Sequence, residues 1–164
     1  ALILSTAILP YLLFNLGIPE GKSKKIFMGD AGSMFIGLSV VWLLSEGSQG
    51  ELRSFNAVTA LFLIAVPLMD MLAIIIRRIK KGQSPYKPDR DHIHHILQRI
   101  GYDQRETLLI ISVMAVTLSA IGILGEMFLV PESLMFALFL AVFGIYHSVL
   151  NNSKTLEYFS RVNK

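Results

Sequence analysis

Nineteen consecutive positions from Thr107 to Gly125 carry no charge, and this run constrains the fold more than any other feature. A helix needs about 20 mostly apolar residues to cross the hydrocarbon core of a bilayer. Four further segments approach that length: Ala1 to Leu16, Ala31 to Ser45, Ala57 to Ile76 with Asp70 inside it, and Ser133 to Leu150. The whole chain is 53% hydrophobic and 16% charged over 164 residues, a balance foreign to soluble domains of this size. The expected fold is therefore all-α, a polytopic integral membrane helical bundle with about five transmembrane helices (1–16, 31–45, 57–76, 107–125, 133–150) forming one membrane domain over 1–164. A single long polar loop, 77–106, separates the third span from the fourth. Cysteine is absent, which removes disulfides and thiolate metal sites from consideration. The chain opens on Ala1 in an uncharged run with no basic region ahead of it, unlike a signal peptide, and reads as starting mid-protein.

Charge gives the orientation. Placing Lys22 to Lys25, the Arg77 to Arg105 loop and the tail from Asn151 on one side collects all of the 15 Lys and Arg except Arg53. Basic loops stay cytoplasmic, so Gly29-Asp30-Ala31-Gly32-Ser33 and the histidine-bearing loop are expected on the same, cytoplasmic face. The lipid bilayer is the expected environment, and no nucleic-acid partner is expected. Gly29, Ser33 and Gly37 recur every fourth residue, a stripe that permits close helix packing in lipid.

Asp30 lies between two glycines where a basic stretch meets an apolar run. A carboxylate oxygen suits a hard cation such as Mg²⁺, and glycine lets backbone N–H groups approach a phosphate. The same pattern also makes a turn or a helix N-cap. The loop gathers eight Lys or Arg against Asp89, Asp91 and Asp103, which by charge alone is an ordinary solvated segment attracted to anionic lipid. Pro88-Asp89-Arg90-Asp91-His92-Ile93-His94-His95 adds three imidazoles. If a helix begins near Asp89 or Asp91, His92 and His95 share a face and His94 points elsewhere. A structural zinc is one reading of the cluster, and phosphate binding by imidazoles and Arg is the other. Asp70 stands about 13 Å inside the third span, counted at about 1.5 Å per residue. Ionisable groups at such depth usually face a bundle interior or a wet cavity; pairing with Arg77 or Arg78 is the structural alternative. Pro67 frees a carbonyl that can kink the helix there.

The Phe27-Met28-Gly29-Asp30-Ala31-Gly32-Ser33 and His92-Ile93-His94-His95 strings, in this order, resemble the bacterial polyprenyl-phosphate N-acetylhexosamine-1-phosphate transferases of the WecA/MraY superfamily, on the branch whose histidines are interrupted. The resemblance covers the C-terminal half of such an enzyme. It implies transfer of N-acetylglucosamine 1-phosphate from UDP-N-acetylglucosamine to undecaprenyl phosphate, with release of UMP, at the bacterial inner membrane. It implies Mg²⁺, or Mn²⁺, held by Asp30, with His92, His94 and His95 on the nucleotide-sugar diphosphate. Asn15, Phe27 (stacked on uracil), Arg78 and Arg90 are implied as substrate-binding residues. The family's paired aspartates have no counterpart, since Glu20 is the only acidic residue before Asp30, and the chain by itself is expected to be inactive. An ion transporter using Asp30 and Asp70, or a structural membrane subunit with a lipid-docking loop, remains the alternative.

Overall fold

The computed structural model describes residues 2–16, 26–51, 53–84 and 92–151. Arg90, Asp89 and Asp91 lie outside them. Among the described residues there are seven helices and no strand: α1 (Leu2–Leu16), α2 (Gly29–Ser48), α3 (Ala57–Leu63), α4 (Ala65–Lys80), α5 (Ile93–Ile100), α6 (Gln104–Met127) and α7 (Glu132–Asn151). The all-α polytopic class is thereby met. Helices α2, α6 and α7 are each long and apolar enough to cross a membrane, and α3 with α4 makes a fourth such stretch, bent by 82°. α1, with 15 residues, is apolar but short. The chain divides into two compact units, 1–53 and 54–164.

In the first unit, α2 starts two residues ahead of the uncharged run and takes Gly29 and Asp30 into its first turn. Gly29 has φ +73°, a left-handed conformation that costs a side-chain-bearing residue about 1–2 kcal/mol. The residue before Asp30 is thus glycine for a conformational reason.

The second unit is built on α3, which packs against α6 and α7. Its core is Val58, Phe62, Ala65, Val66, Met69, Leu118, Met135 and Phe139. Phe62 is fully buried and meets Phe139 edge to face at 5.4 Å between centroids, the arrangement favoured by aromatic quadrupoles. Gly122 makes the close approach of α6 possible: a Cβ there would stand 2.5 Å from Cβ of Phe62. The break between α3 and α4 falls at Ile64, with φ −109° and ψ 19°. Pro67 explains it, because proline lacks the N–H that would reach the Leu63 carbonyl and its ring crowds that carbonyl. The kink anticipated from Pro67 is thus a full change of direction.

At the far end of α6, Glu126 caps α3. Its carboxylate accepts from the Asn56 backbone N–H (2.9 Å), Asn56 Nδ2 (3.0 Å) and Thr59 Oγ1 (2.6 Å). Start signals of α6 are local: Asp103 and Glu106 form a reciprocal capping box at 2.7 and 2.8 Å.

Candidate functional site

Three of the expected site residues gather at the start of α2 in the first unit. Asn15, on the last turn of α1, accepts the backbone N–H of Ile26 at 3.2 Å and donates to the Tyr11 carbonyl at 3.0 Å. This ties the end of α1 to the segment entering α2. Phe27, one residue on, is 88% exposed, which leaves its ring open to a stacking partner. Asp30 is exposed in the first helical turn, where its charge also complements the positive end of the helix dipole. One exposed hard-oxygen ligand suits Mg²⁺, which typically keeps waters and completes its shell with substrate phosphates. Among the described residues, no group of three or more His, Asp or Glu is disposed to hold a metal by itself.

Of the others, Asp70, Arg78, His92, His94 and His95 lie in the second unit, on α4 and at α5, and Arg90 is outside the described residues. The buried stripe of α4 runs through Val66, Met69, Asp70, Ala73, Ile74 and Arg78, so both the acidic and the basic candidate face inward. Asp70 is 8% exposed. Its Oδ2 lies 2.8 Å from Nδ1 of His92, and its Oδ1 accepts the backbone N–H of Ile93 and the hydroxyl of Tyr146, each at 3.0 Å. Burying an ionisable carboxylate is tolerable only when it is hydrogen-bonded, and here three donors converge on it. Pairing with His92 and Tyr146 was not legible in the sequence.

These bonds determine where α5 starts. His92 is its N-cap residue, in extended conformation and without a local side-chain cap; the carboxylate that receives the first N–H comes from α4 instead. An eight-residue helix is marginal alone. Ile93, Ile96, Leu97 and Ile100, spaced for one helical face, line an apolar hollow of about 520 Å³ shared with α4, α6 and α7. Gly101, at φ +121°, ends the helix with N–H bonds from Gly101 to Gln98 and from Tyr102 to Leu97, a Schellman closure.

With its apolar face docked, α5 leaves the imidazoles outside. The rings form a row: His92 and His94 are 5.9 Å apart and nearly parallel at 16°, and His94 and His95 are 4.1 Å apart. His94 was expected to point away from its neighbours. It sits between them because His92 precedes the helix, in extended conformation, and so escapes helical spacing. Desolvation, then the neighbouring His95 and His92, hold the His94 imidazole below the ordinary histidine range, with Asp70 opposing them.

Apolar helices of spanning length define an integral membrane protein, with Asp30 exposed at the start of α2 and the histidine row set at α5 beside buried Asp70. Residues 1–48 match the model for glycosyl transferase family 4. The chain is 51% identical over 140 residues to the undecaprenyl-phosphate alpha-N-acetylglucosaminyl 1-phosphate transferase of Pasteurella multocida, covering 85% of this chain and 39% of that protein. The Escherichia coli K12 protein of the same name is 46% identical over 160 residues, covering 96% of this chain and 43% of the relative. The chain thus spans about two-fifths of the length of the curated relatives it matches, and it belongs to their family. No solved structure matches it.

Proposed function

We propose that this chain supplies part of the active site of a transferase moving N-acetylglucosamine 1-phosphate from UDP-N-acetylglucosamine to undecaprenyl phosphate, with release of UMP. The observation that carries the reading is the 46% identity over 96% of the chain to a transferase of that name, a stretch that takes in both the Asp30 and the histidine strings.

The physical requirements agree. One substrate is a lipid and the other a cytoplasmic nucleotide, so the site belongs at the cytoplasmic surface of the inner membrane, the side to which the basic residues assign both strings. Two phosphate-bearing substrates repel each other, and a bound Mg²⁺ would supply charge neutralisation. Asp30 would hold that ion. His92, His94 and His95, with Arg78 and Arg90, bind the diphosphate through N–H donors and positive charge. Exposed Phe27 stacks on the uracil, and Asn15 holds the segment that presents it. The apolar hollow beside α5 offers hydrocarbon-lined space of the kind a polyprenyl chain needs.

Incubating the gene-length protein in membranes with labelled UDP-N-acetylglucosamine and undecaprenyl phosphate tests the reading. A lipid-extractable labelled diphosphate sugar is the expected product. Its absence from folded protein would overturn the assignment. The 164-residue chain alone is expected to give no product, because no paired aspartates precede Asp30.

A further inference from the structure

We propose that Asp70 and Tyr146 are positioning residues for His92: the buried carboxylate holds the Nδ1–H of the imidazole and turns Nε2 outward, and the tyrosine hydroxyl fixes the carboxylate. The catalytic use of this device rests on the transferase reading above; the device itself does not.

The geometry assigns each donor. Asp70 is buried and its two oxygens are divided, Oδ2 for His92 and Oδ1 for both the Ile93 N–H and the Tyr146 hydroxyl. A carboxylate has no proton to give, so the hydrogen between Asp70 and His92 sits on Nδ1. In water a neutral imidazole prefers its proton on Nε2, and the carboxylate therefore imposes the less common tautomer. Neutral His92 presents a bare Nε2 on the ring edge opposite Asp70. When the ring is protonated, that edge becomes an N–H donor with a compensating anion behind it. The His92 side chain is 43% exposed while that of Asp70 is 12% exposed, so one edge of the ring is anchored and the rest is accessible.

Tyr146 comes from α7, 76 residues beyond Asp70. Its ring lines the hollow with Ile93 and Met69, and its hydroxyl reaches the same oxygen as the Ile93 N–H. One carboxylate thereby joins α4, the start of α5 and α7, and the imidazole row inherits its position from that junction. A purely structural cap would need only the Ile93 bond. The additional bond to a half-exposed imidazole is what a device for orienting the ring requires.

The test reads the tautomer directly. The whole chain, labelled with ¹⁵N-histidine and held neutral at alkaline pH in detergent micelles, is compared with His92→Gln to assign the His92 signals. In the native chain Nδ1 is expected to be pyrrole-like and Nε2 pyridine-like. In Asp70→Asn the amide oxygen stays with the Ile93 N–H and the Tyr146 hydroxyl, which leaves the NH₂ group facing Nδ1. The two signals are then expected to exchange character, whereas Tyr146→Phe keeps the native pattern. A native His92 already protonated on Nε2 would overturn the proposal whether or not any variant folds. In the gene-length protein Asp70→Asn is expected to lower kcat/KM roughly 10–100-fold, by analogy with the loss of carboxylates that orient metal-binding imidazoles. A flipped tautomer with full activity would overturn the catalytic role. Lack of UMP release from the native enzyme would overturn the transferase reading, and the spectra would still decide the tautomer.

Discussion

Glu126, one residue from the end of α6, accepts both the backbone N–H and the side-chain amide of Asn56, at 2.9 and 3.0 Å. Thr59 adds a third bond at 2.6 Å, so the first turn of α3 is satisfied by a residue 70 positions away. Glu126→Gln keeps the shape but replaces an acceptor-only group with one that presents N–H to at least one donor. It is expected to cost about 1–3 kcal/mol, read as a lower unfolding midpoint in detergent. Thr59→Ser, which keeps the hydroxyl, is expected to stay near native.

Gly122 sets the distance between α3 and α6. A methyl there would stand 2.5 Å from Cβ of Phe62, an atom next to the backbone that cannot swing aside. Gly122→Ala is therefore expected to destabilise by about 1–3 kcal/mol through overpacking. Gly144→Ala on α7, where a Cβ meets open space, is the control and is expected to be neutral or slightly stabilising. Comparing their thermal midpoints separates packing from helix propensity.

Gly29 carries the backbone turn before Asp30. At φ +73°, Gly29→Val is expected to cost about 1–2 kcal/mol or more and Gly29→Asn less, since asparagine tolerates the left-handed region. Ranking the residual transferase activity as Gly, then Asn, then Val measures it.

His94 titrates below the ordinary histidine range because of desolvation and the adjacent His95 and His92. Its pKa is lower in the folded state than in the unfolded one, so the unfolded chain binds the proton more readily. The associated stability is present above the unfolded value of about 6.5 and is lost as pH falls through the folded value. A ring-proton titration should place the His94 midpoint below 6.5, and adding UDP should raise it by supplying an anion.

Class and candidates were legible because they rest on local signals. Uncharged runs marked α2, α6 and α7, the helices long and apolar enough to cross a membrane, while the five spans expected reduce to three, or four with the bent α3–α4 pair; strings of seven and four residues singled out Asp30 and the histidines as candidates. What escaped was long-range. Asp70 was singled out by the cost of an ionisable group in an apolar run, but its partners lie 22, 23 and 76 residues away, and no periodicity connects them. The same holds for Glu126, whose partners Asn56 and Thr59 lie 70 and 67 residues away. Helical spacing misplaced His94, because a cap supplied by another helix started α5 at Ile93. Pro67 was legible as a kink, but no local signal gave the 82° size of the bend between α3 and α4.

The measurement closest to the central claim is UMP release by the gene-length protein from UDP-N-acetylglucosamine with undecaprenyl phosphate and Mg²⁺, native against Asp30→Asn. The account predicts release that requires both substrates and the metal in the native enzyme, and its loss in Asp30→Asn with the protein still folded. Undiminished release from Asp30→Asn would contradict the assignment of the metal to Asp30, and no release from folded native protein would contradict the transferase itself.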